Sequence, residues 1–284
     1  MENSQSSINC KGKLFDLNTP CVMGILNITP DSFYDGGKYS SEEQCINQVQ
    51  QMILDGAKII DIGSVSTRPG AKEVDEKEEL HRLIPVIKVL ADKFPDTILS
   101  VDTWRSSVAK EAINSGAHII NDISGGLFDE QMFSTIASLN VPYIMMHTSG
   151  KPELMQQNPH YEHLVNEIIA FFAKQLSQLR KLGVHDVIID PGFGFGKTLD
   201  HNYQLMEKLE SFQLFDLPIL VGVSRKSMIQ KLLNITADEA LNGTSVLNTI
   251  ALLNGAKILR VHDVKEAVQA IEIVNKIKST KSPH

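Results

Sequence analysis

Nine polar residues recur just where short apolar runs end: Asn27, Asp61, Asp102, Asn121, Asp122, His147, Asp190, Arg260 and His262. One further apolar run leads straight into Ser224, Arg225 and Lys226. Each could be a buried polar group that caps a helix or pairs across a core, but together they describe a concave site with both carboxylates and cations. Lys226 fits either a Schiff-base lysine or a donor to an anion or a heterocycle oxygen. Two segments add further reactive groups. Residues 28–40 (ITPDSFYDGGKYS) contain Asp31 and Phe33, and residues 64–71 (SVSTRPGA) contain Thr67 and Arg68. Both are long for connections in a compact domain, a length that goes with functional loops.

Two nucleotide signatures fail by one residue. Gly196-Lys197-Thr198 ends like a phosphate loop, but the glycine needed five positions earlier is Pro191. The run Gly192, Gly194, Gly196 has GxGxG rather than GxGxxG spacing. These glycines are read as letting backbone approach a flat ligand beside Phe193 or Phe195. His160 and His163, three apart and without a third ligand, read as surface residues.

The elements that must position these groups alternate regularly. Strand-like runs fall at 21–27, 58–63, 97–102, 118–123, 141–147, 186–191, 218–223 and 256–262. They are nearly continuous apolar stretches, the pattern of strands covered on both faces. Between them lie helical patterns, the clearest a stripe of Leu164, Ile168, Phe172, Leu176 and Leu179. Ser41 with Gln44 and Thr236 with Glu239 fit capping boxes that predict helix starts. Gly56, Gly116, Gly183 and Gly255 fall where left-handed helix caps are needed. Eight βα units without a linker predict a single (β/α)8 barrel; a two-domain Rossmann-like chain is the competing arrangement. The boundaries read as a polar extension over residues 1–14, a barrel over 15–278 and a tail over 279–284.

With the strands in place, the motifs become specific. MGILNITPDSFYDGG (23–37), DIGSVSTRPGA (61–71), SVDTWR (100–105), INDISGG (120–126), MMH (145–147), DPGFGFGKT (190–198), GVSRKSMI (222–229) and GTSVLNTIALLNGAKILRVHDV (243–264) occur in order. The chain closely resembles the bacterial dihydropteroate synthases, a family of pterin-binding barrels. One departure stands out: Val65 replaces the Glu that the family usually has before Ser-Thr-Arg-Pro.

The resemblance implies a reaction of (7,8-dihydropterin-6-yl)methyl diphosphate with 4-aminobenzoate, giving dihydropteroate and diphosphate with Mg²⁺. It implies a pterin pocket of Asp102, Asn121, Met145, Asp190, Phe195 and Lys226. The residue types suit this, since a carboxylate such as Asp190 can accept two parallel N–H bonds from the guanidine-like ring edge. It places the diphosphate on Asn27, Thr67, Arg260 and His262, with Asn27 as a Mg²⁺ ligand. Phe33, Thr67, Pro69 and Ser224 would hold aminobenzoate. Asp102, Asp31, Arg68 and Lys226 would be catalytic, through electrostatic support of a pterin cation and of the leaving group. Sulfonamides, which mimic aminobenzoate in this family, are implied inhibitors, and a homodimer is the implied assembly. The apolar pattern at 244–253 suits a dimer interface and core packing equally. The alternatives are a methyltetrahydrofolate-dependent methyltransferase and a non-catalytic pterin-binding paralogue.

Composition sets the outer bounds. The 284 residues are 42% hydrophobic and 21% charged, with a formal charge of −7, enough chain for a full core. The acidic balance, without a Lys/Arg block, speaks against nucleic acid as a partner. There is no apolar run of roughly 18–20 residues for a membrane span and no signal-peptide core, so the expected location is cytoplasmic. Cys10, Cys21 and Cys45 lack metal or disulfide spacing and read as reduced and structural.

Overall fold

The computed structural model describes residues 7–28, 38–64, 74–150 and 159–280, with backbone alone for 38–41. An antiparallel hairpin, β1 (Ser7–Cys10) and β2 (Lys13–Asp16), precedes the first long strand, β3 (Cys21–Asn27). Alternation then begins: α1 (Lys38–Leu54), β4 (Ile59–Gly63), α2 (Glu76–Lys93), β5 (Ile98–Asp102), α3 (Ser106–Asn114), β6 (Ile119–Asp122), α4 (Met132–Leu139) and β7 (Tyr143–Met146). It continues through α5 (Leu164–Lys181), β8 (Val187–Asp190), α6 (Leu199–Glu207), a 3-10 helix (Leu209–Phe215), β9 (Leu220–Val221), α7 (Ser227–Leu233), α8 (Leu241–Leu253), β10 (Ile258–Val261) and α9 (Val264–Ser279).

The eight strands β3–β10 form one parallel sheet in the order β8-β7-β6-β5-β4-β3-β10-β9. A parallel bridge between Ile189 and Ile219 joins its two ends, so the sheet closes into the predicted (β/α)8 barrel. The expected strands match these spans, except that β9 contracts to two residues between Pro218 and Gly222.

Strand period sorts the side chains into layers. Outward residues such as Val22, Ile60, Val101, Ile120, Val187 and Leu259 pack with the helices in the main core. Inward residues at the strand starts, Met23, Ile59, Ile119, Ile144, Ile188, Leu220 and Ile258, form a second aliphatic cluster. That cluster takes in Ile8, Cys10 and Leu17, so the hairpin seals the lower end of the barrel. The expected polar extension over 1–14 thus contains a strand whose Ile8 and Cys10 are buried.

In α5, Leu164, Ile168, Phe172, Leu176 and Leu179 are all buried, as the stripe predicts. Gly56, Gly116, Gly183 and Gly255 all have positive φ at helix ends, the left-handed geometry a side chain resists. Both predicted capping boxes misplace the helix start. α1 already begins at Lys38, three residues before Ser41, whose side chain lies outside the described residues. Thr236 does not adopt capping-box geometry: Glu239 accepts from both the Thr236 amide and its hydroxyl at 2.9 Å. The hydroxyl is therefore a donor, the pair closes a turn, and helix α8 starts only at Leu241.

Candidate active site

The upper rim of the barrel is a register row. Asn27 pairs with Gly63, Gly63 with Asp102, and Asp102 with Asn121. Gly63 leaves room between its neighbours: a Cβ there would lie 3.5 Å from Asp102 Cβ and 3.9 Å from Asn27 Oδ1. Asn27 is exposed at its strand tip. Asn121, Asp190 and Asp61 are buried.

Asp61 differs from the expectation of a strand-end residue. It is the third of five residues in β4, fully buried inside the barrel. Its Oδ2 accepts from Arg260 Nε at 2.6 Å and from Asn121 Nδ2 at 2.9 Å. Arg260 also donates from Nη2 to Asp102 Oδ2 at 3.0 Å. Burial pushes the Asp102 carboxyl up to about 7, opposed by Arg260 and reinforced by Asp61.

On the opposite wall, Asp190 accepts from the Gly192 amide at 2.8 Å, and burial raises its carboxyl against the pull of Lys226. Lys226 Nζ donates to Phe193 O at 2.5 Å and lies 4.6 Å from the centre of the Phe195 ring. Burial lowers its ammonium to about 8. Cation and ring thus form one platform. Phe195 packs with Trp104, Ile123, Phe128 and Met146 in a small apolar cluster beside these polar groups.

The structure corrects Met145. It is the register partner of Asp122 and packs with the helices in the main core, facing away from the site. Met146, register partner of Asp190, is the inward residue. Phe193 is likewise buried in the outer core, which leaves Phe195 as the ring at the mouth. The glycines beside them lie close to protein atoms: a Cβ on Gly192 would stand 1.9 Å from His147 O, and one on Gly194 would stand 3.1 Å from Lys226 Cδ.

Other strand-tip residues take structural parts. Asp122 accepts from Tyr143 Oη at 2.6 Å and from the Ser124 and Gly126 amides at 2.7 and 3.0 Å, holding the turn after β6. Arg225 turns to Asp263, with bonds of 3.0 and 2.6 Å. His147, kept neutral by burial with its ring lowered to about 2, lies 3.1 Å from Lys197 Nζ. Lys197 was not anticipated as important, yet it donates to Gly192 O at 2.9 Å and to Phe195 O at 3.2 Å from a buried position. His160 and His163 are exposed, as expected.

Ser224 and His262 meet at the remaining side, with Ser224 Oγ 3.1 Å from His262 Nδ1. The His262 amide donates to the same oxygen at 3.2 Å. The roles in this pair depend on the ring tautomer: with Ser224 donating to Nδ1, His262 carries its proton on Nε2 and can donate from there. Asp31, Phe33, Thr67, Arg68 and Pro69 lie outside the described residues, as does the departure at Val65. Among the described residues, no group of three His, Cys, Asp or Glu side chains could hold a metal.

A barrel whose mouth combines buried carboxylates, a lysine over an aromatic ring, an arginine and an apolar wall defines an enzyme class that takes a flat polar heterocycle with an anionic substituent. The sequence matches the model of the pterin binding enzyme family over residues 23–262. It is 45% identical to the dihydropteroate synthase of Escherichia coli over 273 residues, covering 95% of this chain and 96% of that protein. A crystal structure of the Yersinia pestis dihydropteroate synthase in a sulfonamide drug complex superposes with a TM-score of 0.90 at 44% identity, covering 96% of this chain and all of that one. The Xanthomonas albilineans enzyme with 4-aminobenzoic acid gives 0.89 at 35% identity, covering 98% and 99%. The chain belongs to the pterin-binding enzyme family, in its dihydropteroate synthase branch. It is a transferase of folate biosynthesis, forming 7,8-dihydropteroate from the dihydropterin diphosphate and 4-aminobenzoate. Neither the methyltransferase nor the non-catalytic paralogue is needed to account for these relatives.

Proposed function

We propose that the described mouth divides into a pterin side and a diphosphate side, and that the reaction proceeds by departure of diphosphate before attack of the amine. The observation that supports this most directly is the three-way contact of Arg260 with Asp61 and Asp102 and of Asp61 with Asn121. Asp190 and Asn121 present an acceptor and a mixed donor–acceptor pair to the pterin edge, and Lys226 donates to a ring oxygen or nitrogen. Met146 and Phe195 cover the ring faces.

Arg260 and His262 Nε2–H draw the leaving oxygen as the carbon–oxygen bond to the pterin methylene breaks. The ring delocalises the resulting cation, the Asp102 carboxylate stabilises it, and Asp31 shares that role by resemblance. Aminobenzoate, placed by Ser224, Phe33, Thr67 and Pro69, then forms the carbon–nitrogen bond. Its ammonium proton leaves to solvent, because the aromatic amine needs no strong base. Arg68 and Thr67 belong to the leaving-group end by resemblance.

A magnesium ion fits this donor set only as a shared site. Asn27 Oδ1 is a hard oxygen beside Asp102 at the rim, and Mg²⁺ completes its shell with water and substrate phosphate. When bound it would neutralise charge on the diphosphate. The protein's own part is to hold that anion with Asn27, Arg260 and His262.

The assembly we propose is a homodimer through α8 and α9. Val246, Ile250 and Leu253 on α8, with Ile273 and Ile277 on α9, remain exposed in the monomer, an apolar strip larger than a lone helix needs. The proposed location is the cytoplasm. Among the described residues no helix is long and apolar enough to cross a membrane, and all three cysteines are free and buried.

A diphosphate-release assay with both substrates tests the mechanism. Turnover should require 4-aminobenzoate, rise with Mg²⁺, and be inhibited by a sulfonamide competitively with aminobenzoate. Arg68→Ala should slow turnover while leaving the affinity for a pterin unchanged. Diphosphate release that ignores both aminobenzoate and sulfonamide would remove this reading.

A further inference from the structure

We propose that Asp61 is a positioning residue that locks the pterin side and the diphosphate side of the mouth into one arrangement, through a single carboxylate oxygen. The proposal rests on the assignment of Asn121 to the pterin and of Arg260 to the diphosphate.

Asp61 touches no solvent and sits one layer beneath the rim. One oxygen, Oδ2, receives both Arg260 Nε and Asn121 Nδ2. Among the described residues the other, Oδ1, is buried and has no partner, and so is the hydroxyl of Ser100, the register partner of Asp61 on β5. The hydrogen bonding of this carboxylate among them goes to two side chains from different strands, β6 and β10.

A buried carboxylate is an expensive way to gain stability, because its desolvation offsets the attraction of its partner. It is a good way to fix direction. With Nε held by Asp61, the guanidinium of Arg260 cannot rotate about its stem, and its Nη2 edge is directed along Asp102 toward the rim. With Nδ2 held by the same oxygen, the Asn121 amide cannot flip, so its carbonyl oxygen and remaining N–H keep fixed roles. An error in either orientation would misplace a substrate group, and catalysis is sensitive to displacements of about 1 Å.

Asparagine in place of Asp61 keeps the shape but presents an oxygen and an amide instead of two acceptors. One of the two donors then faces an N–H group, or both compete for a weaker neutral acceptor. Either way both sides of the mouth are loosened, through Asn121 and Arg260.

The test measures two ligands separately by calorimetry, a stable oxidised pterin and inorganic pyrophosphate with Mg²⁺, on purified full-length protein. Asn121→Ala and Arg260→Ala serve as references; the first should weaken the pterin and the second pyrophosphate. Asp61→Asn should weaken both by about tenfold or more. In steady state it should raise the KM for the dihydropterin diphosphate and lower kcat, with the KM for aminobenzoate unchanged at saturating pterin substrate. A defect that was merely structural would disturb all three ligands. Asp61→Ser, which leaves space for water at both donors, should give the same pattern if Asp61→Asn does not fold. If the reference variants behave as assigned while the Asp61 variants weaken one ligand or none, Asp61 does not couple the two sides. If the reference variants do not separate the two ligands, the assignment of the sides fails and the coupling fails with it.

Discussion

Asp102 is held at the rim with its carboxyl raised to about 7, first by burial and then by the charge of Asp61, while Arg260 pulls the other way. A raised carboxylate is ionised only above that value, so its service as an acceptor is present in alkaline solution and lost as the pH falls through about 7. The kcat/KM for the dihydropterin diphosphate should therefore decline on the acid side with a midpoint near 7. In Asp102→Asn that limb should vanish, with the remaining activity lowered by roughly 100-fold; pH–rate profiles of both proteins check this. Asp190→Ala removes the acceptor for paired ring N–H groups, and charge-assisted bonds of this kind are worth about 1.5–3 kcal/mol each. Calorimetry should show pterin affinity reduced by about 100-fold or more, and unchanged affinity would refute the pocket. At this scale residue identity was legible in the sequence while orientation was not. A tandem Met145-Met146 offers the same side chain to either face, and only the register with Asp190 shows that Met146 points inward. Asp61 was visible as a polar residue in an apolar strand. Its partners were not, because Arg260 is 199 positions away.

Elements bring their own constraints, most clearly in the segment after β8. Gly192 has φ of +75° and approaches the His147 carbonyl too closely for any side chain, while Lys197 ties Gly192 O and Phe195 O together from below. Gly192→Ala combines left-handed strain with a backbone clash, a destabilisation of about 3 kcal/mol or more. Thermal unfolding should show a Tm lower by on the order of 10 °C, and pterin affinity should fall because Asp190 and Phe195 flank the distorted turn. If Tm is unchanged, the close approach is not maintained in solution. The strands and α5 could be read from sequence because apolar runs and the stripe beginning at Leu164 report burial directly. Helix starts could not. Ser41 with Gln44 has cap chemistry without being the cap, and Glu239 satisfies Thr236 in a turn before α8. The glycines of the Gly192–Gly196 run were legible as necessary, and in the structure the bodies that come close to Gly192 and Gly194 are the His147 carbonyl and Lys226.

Across the whole molecule, stability and chemistry occupy opposite ends of the barrel. Ile8 is fully buried in the lower aliphatic cluster with Cys10 and Leu17, and Ile8→Ala should cost about 2–4 kcal/mol. Chemical denaturation should register that loss, whereas kcat should stay within about twofold, since Ile8 packs at the strand starts and the site lies at the strand ends. A parallel change in kcat would mean that the lower cluster shapes the mouth. The barrel was legible as eight repeats of one pattern. The hairpin was not, because strands of four residues among polar neighbours resemble a loose extension until their partner is known. Its presence has a consequence for traffic. Among the described residues, Ile8, Cys10 and Leu17 stopper the lower end of the barrel. Entry and exit by one doorway at the mouth is the expected outcome: product at saturating concentration should slow the arrival of both substrates, which stopped-flow binding checks.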